Sequence, residues 1–75
     1  MQQKNIFPNL AAELTRAGLD VKNIAAATGK SKGAVYFKLH GKNEFTLTEM
    51  ELIKTMLETV NASNLTLDYL FARGE

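Results

Sequence analysis

The stretch from Asp20 to Lys42, DVKNIAAATGKSKGAVYFKLHGK, leaves room for two short helices and a tight turn between them, and for little else. Asp20 can cap the first helix by accepting a hydrogen bond from a free backbone N–H, and Val21 to Thr28 then carry Ile24 and Ala25 toward a core. Gly29 stands where the chain must turn sharply, because glycine enters positive φ without steric cost. Ser31 can cap the second helix, and Gly41 suits the residue just past its end. Within that second helix Val35 and Leu39, four apart, face inward together, and the small Ala25 lets the two helices cross closely. A helix, a glycine-containing turn of a few residues and a second helix, over about residues 20–41, is the spacing of a helix-turn-helix.

The flanking segments keep the same helical period. Pro8 suits a first helical turn, Phe7, Leu10, Leu14 and Ala17 follow at spacings of three or four, and Gly18 stops the run. Lys42-Asn43-Glu44 is a polar connector. Thr46 and Glu49 then form a capping box, ahead of a buried stripe of Met50, Ile53, Leu57 and Val60. Asn61 to Asn64 reads as a turn, and Thr66 or Ser63 caps a last short helix carrying Leu67, Leu70 and Phe71 before a polar tail. With no period-two segment, repeat or linker, the expectation is one all-α domain of five helices.

Composition narrows the chemistry. Seventy-five residues lie near the lower limit for a core held without staples, and the chain has no cysteine for a disulfide or thiolate metal site, which suits a cytoplasmic setting. No apolar run approaches the roughly 20 residues of a membrane span, and MQQKNIFPN lacks the apolar centre of a signal peptide. The net charge of +1 conceals a polarity: between Arg16 and Asn43 six basic residues face Asp20 alone, whereas elsewhere three basic residues face seven acidic ones. A basic centre in a nearly neutral chain points to a polyanionic partner.

At about 100° per residue, Gly33, Phe37 and His40 point away from the Val35–Leu39 side, with Lys32 and Tyr36 on one flank and Ala34 and Lys38 on the other. A helix of this kind can enter the major groove of DNA, where phosphates flank the base edges. Ser31 and Lys32 can then donate to guanine O6 and N7, Phe37 can pack on a thymine methyl, and Gly33 lets the backbone approach. Phosphates attract Lys30, Lys32, Lys38 and Lys42, and the Tyr36 hydroxyl can reach one. Plainer readings exist: the lysines as a solvated face, Phe37 folded onto the next helix or in a dimer contact, and His40 complementing the helix dipole.

Other chemistries find less support. Gly29-Lys30-Ser31 looks like the end of a phosphate-binding loop, but that motif needs glycine at position 24, where the chain has Ile24, and a strand before it. One histidine and no cysteine leave no triad, thiolate pair or zinc cluster, so neither an enzyme nor a cofactor or small-molecule ligand is expected. Glu44, Glu49 and Glu51 read as a solvated face, and Met50 and Met56 as core or interface filler.

Ile24-Ala25, Gly29, Ser31, Val35 and the run Lys38-Leu39-His40-Gly41-Lys42, followed by Glu44-Phe45-Thr46-Leu47-Thr48-Glu49-Met50, resemble the Cro/repressor-type (XRE-like) helix-turn-helix family. The likeness is nearest to small phage and prophage regulators of Gram-positive bacteria. Leu67-Asp68-Tyr69-Leu70-Phe71 is similar to that family's last helix, so the resemblance covers about residues 7–72. It implies a compact five-helix, lambda-repressor-like DNA-binding domain, a transcriptional regulator that binds a near-palindromic double-stranded operator as a homodimer. Family base contacts carry over to Ser31, Lys32, Gly33 and Phe37, and phosphate contacts to Lys22, Lys42 and Asn43. Gly33 and Phe37 stand where many members place polar readers, and Lys30 replaces an apolar turn residue. The short chain looks Cro-like, or like a binding domain alone.

Two expectations follow. The first is a sequence-specific repressor that occupies an operator, with Met56, Val60, Leu65 and Phe71 as apolar surface for a dimer. The alternative is a protein-interaction module, an antirepressor or antitoxin-like partner with only non-specific DNA affinity and Phe37 as its anchor.

Overall fold

The computed structural model describes residues 5–74; Lys4, Glu75 and the start of the MQQKNIFPN segment lie outside the described residues. Five helices follow one another with no strand among those residues: α1 (Pro8–Ala17), α2 (Val21–Thr28), α3 (Lys32–Leu39), α4 (Leu47–Asn61) and α5 (Leu67–Leu70). The radius of gyration, 11.2 Å, matches the roughly 11 Å of a compact chain this size.

Helix ends follow the local chemistry of the sequence. Pro8 opens α1, and Gly18 closes it at φ 72°. The Asp20 carboxylate accepts from the Lys22 N–H at 3.0 Å, and the Asn23 side chain accepts in return from the Asp20 N–H at 2.9 Å. That reciprocal box is one residue richer than the aspartate cap expected. Gly29 ends α2 at φ 72°, and Ser31 Oγ accepts from the Ala34 N–H at 3.1 Å to start α3. Past α3 the Gly41 N–H bonds the Lys38 carbonyl and the Lys42 N–H the Phe37 carbonyl, the paired closure of a Schellman ending. Thr46 and Glu49 form the expected capping box on α4, and Thr66, not Ser63, caps α5.

Helix α4 is the hub, packing against α1, α2 and α5, while α3 lies closest to α2 and reaches α4 through the Lys38 side chain. The core runs through Leu10 and Leu14 of α1, Ile24 and Ala25 of α2, Val35 and Leu39 of α3, Ile53 and Leu57 of α4, and Leu70. At one end the rings of Phe7, Phe45 and Phe71 meet at centroid distances of 5.4 to 6.0 Å. There the Ile6 N–H bonds the Leu39 carbonyl and the Gly74 N–H bonds the Ile6 carbonyl, which ties both chain ends to the end of α3.

Three expectations about the α4 side are corrected. Val60 does not continue the buried stripe: it is 50% exposed, because Asn61 takes the inward place and donates to the buried Glu13 carboxylate at 2.9 Å. Met56, Leu65 and Phe71, expected as open dimer surface, pack partly buried against the core. Glu49 is not part of a solvated face; it is 4% exposed.

Candidate nucleic-acid interface

The outward side of α3 is built by its inward anchors. With Val35 and Leu39 buried, Ser31, Lys32 and Gly33 are exposed, and Phe37 stands 53% exposed with no aromatic partner among the described residues. Phe37 therefore folds neither onto α4 nor into the core. Tyr36 is 46% exposed, and its ring meets that of His40 edge-on at 4.2 Å, one turn later on the same flank. The four proposed base-reading positions are thus all exposed, Ser31 at the N-cap and the others along the start and middle of α3.

The basic residues around that surface divide into three kinds. Lys22, on the first turn of α2, Lys32 on α3 and Lys42 after α3 are exposed and meet no carboxylate among the described residues. Asn43 is exposed beside Lys42. Lys30, in the turn, has a half-exposed side chain with its ammonium 3.8 Å from Glu49. Lys38 differs. Its side chain is 14% exposed, and its Nζ donates to both Glu49 oxygens at 2.7 and 2.8 Å while lying 5.9 Å from the centre of the Phe45 ring. In this structure the charge of Lys38, expected at a phosphate, is paired with Glu49.

Glu49 is the residue that sequence reasoning placed incorrectly. Its capping role is legible from Thr46-x-x-Glu49, but its charge serves a lysine 11 residues earlier, a pairing no local pattern announces. Burial alone would push the Glu49 carboxyl up. The hydrogen bond from Lys38, the Thr46 N–H and the charges of Lys38 and Lys30 outweigh burial and hold it below its ordinary value of 4.5. A second buried carboxylate, Glu13, accepts from Asn61 and from the Tyr69 hydroxyl, both at 2.9 Å, and so clamps α1 to α4 and α5.

No group of three or more histidine, aspartate and glutamate residues able to hold a metal occurs among the described residues. The depressions near α3 are shallow. One of about 310 Å³ lies between α1 and the back of α3, walled by Leu14, Leu19, Val21, Tyr36, Leu39 and His40. A larger one of about 370 Å³, lined by Thr55, Glu58 and Thr59, sits at the other end of α4 from Glu49. Among the described residues no helix is long and apolar enough to cross a membrane. Comparisons of the chain with protein families, with curated proteins and with solved structures return no match.

Proposed function

We propose that this domain is a sequence-specific double-stranded DNA-binding regulator of the helix-turn-helix, lambda-repressor-like kind, acting by occupying an operator with α3 in the major groove. The observation that carries the reading is the exposure of Ser31, Lys32, Gly33 and Phe37 at the start and middle of α3, with Lys22 and Lys42, which meet no carboxylate among the described residues, nearby in the chain. Lys32, Gly33, Tyr36 and Phe37 are the exposed positions of α3, and that part of its surface is open to a groove. Phosphate contacts from Lys22, Lys30, Lys42 and Asn43 supply most of the affinity and its salt dependence, and the few groove contacts the discrimination. A palindromic operator would bring two copies together, with Leu47, Leu52 and Val60, all exposed, as the apolar surface left on α4.

Selection of bound duplexes from a random pool, followed by anisotropy titration of the winner against scrambled DNA, tests this. A winner preferred by on the order of 10³ or more supports the reading. Binding without enrichment that vanishes as salt rises would sink it and favour the protein-interaction alternative, in which Phe37 is the anchor. Two substitutions separate the roles. Lys42→Ala weakens binding to all duplexes alike and lowers the salt slope by about one. Phe37→Ala instead loses about 1–3 kcal/mol of discrimination at one base pair and leaves the slope alone. Equal effects of both on selected and scrambled DNA would show that α3 does not read the groove.

A further inference from the structure

The lysines near α3 are treated unequally by one buried carboxylate. A cap needs a single oxygen to accept from the Thr46 N–H, which a neutral glutamine provides as well as a glutamate. Glu49 offers more than a cap requires. Both oxygens receive the Lys38 ammonium, and the Lys30 ammonium stands 3.8 Å away, so two lysines from the turn and from α3 converge on one negative charge. Glu51, two residues on, is exposed and meets neither. The paired Lys38 ammonium lies 5.9 Å from the centre of the Phe45 ring, on a side chain only 14% exposed.

We propose that Glu49 is a charge mask built into the DNA-binding surface: it holds the Lys38 ammonium away from phosphate. Random-sequence duplex is thereby held less tightly than the lysine count of the surface would dictate. The inference rests on the DNA-binding reading and adds to it a residue that sets the background affinity without touching DNA. Its physical basis is counterion release. Each lysine that reaches a phosphate steepens the dependence of affinity on salt by about 0.9 decade per decade, and it strengthens binding to every sequence alike. A lysine held in a bidentate pair in a nearly dry site releases no counterion from DNA. Reducing this uniform component shrinks the share of protein held on the vast excess of non-operator sequence.

The test is a set of anisotropy titrations on a random-sequence duplex across roughly 50–300 mM salt, with folding of each variant checked by circular dichroism. Glu49→Gln keeps the cap acceptor and removes the charge. It is expected to bind random duplex about eightfold more tightly near 0.1 M salt, with a slope steeper by about one, as one freed lysine adds a phosphate contact. A gain of affinity with a steeper slope is not produced by loosening of the fold. Lys38→Gln, which keeps a donor for Glu49, is expected to leave the slope of the parent protein unchanged, whereas Lys42→Ala lowers it by about one. If Glu49→Gln proves too unstable to titrate, Lys38→Gln decides alone: a slope lowered by about one shows that Lys38 already contacts phosphate and overturns the mask. A parent protein that binds duplex, with a Glu49→Gln slope identical to its own, overturns the mask and leaves the DNA-binding reading standing. A parent protein with no salt-dependent duplex binding overturns both.

Discussion

Leu57→Ala is expected to cost about 3 kcal/mol and to lower the midpoint of thermal unfolding by about 15–20 °C, whereas Val60→Ala, three residues later, costs under about 1 kcal/mol. Leu57 is 0% exposed on the helix that touches α1, α2 and α5, so deleting its branched end opens a cavity no neighbour can collapse into. Val60 is 50% exposed, and its truncation removes contact mostly with water. A domain of this size holds only about 4–11 kcal/mol of net stability, so one core deletion consumes a large share of it. Urea titrations by circular dichroism check the pair, with an unchanged m-value showing that the unfolded state is not what moved. Equal losses would show that the Val60 side chain is buried in solution.

That pair also marks where the sequence stops being legible. On helical spacing alone Leu57 and Val60 are equivalent members of one stripe, and both were expected inside. What separates them is Asn61, whose amide reaches Glu13, 48 residues away, and so fixes how the last turn of α4 sits on α1. Local chemistry was readable throughout: Asp20, Ser31, Thr46 and Thr66 cap the helices that their positions suggest, and Gly18, Gly29 and Gly41 all adopt positive φ. These features depend on residues within four places of one another, a range the eye can follow. The fates of Lys38, Glu49 and Glu13 depend on partners 11 to 56 residues off; Lys38 was expected at a phosphate and Glu49 on a solvated face, and no local pattern placed Glu13. The candidate site divides in the same way. The exposed face with Ser31, Lys32, Gly33 and Phe37 follows from two buried positions on α3, while the division of its lysines into paired and unpaired follows only from the tertiary placement of Glu49.

The same carboxylate makes stability dependent on acid. Lys38, Lys30 and the Thr46 N–H together hold the Glu49 carboxyl below 4.5, so the folded state binds this proton more weakly than the unfolded chain does. Stability from this group is therefore fully present above the ordinary carboxyl range and is lost as pH falls through that range toward the lower folded value. Glu49→Ala removes the charge, the cap acceptor and the partner of a lysine that is 14% exposed, and is expected to cost about 3 kcal/mol at neutral pH. Glu58 is also held low, first by the hydrogen bond from the Leu65 N–H and then by Lys54, but it is intact in both proteins and drops out of their difference. Urea midpoints of the parent and Glu49→Ala proteins, measured from neutral pH down to about 3, should therefore converge, because acid removes from the parent what the substitution has already removed from the variant. A gap that stays constant over that interval would show that the cost of Glu49→Ala is packing alone, and that the pairing of Lys38 with Glu49 contributes nothing to holding α3 against α4.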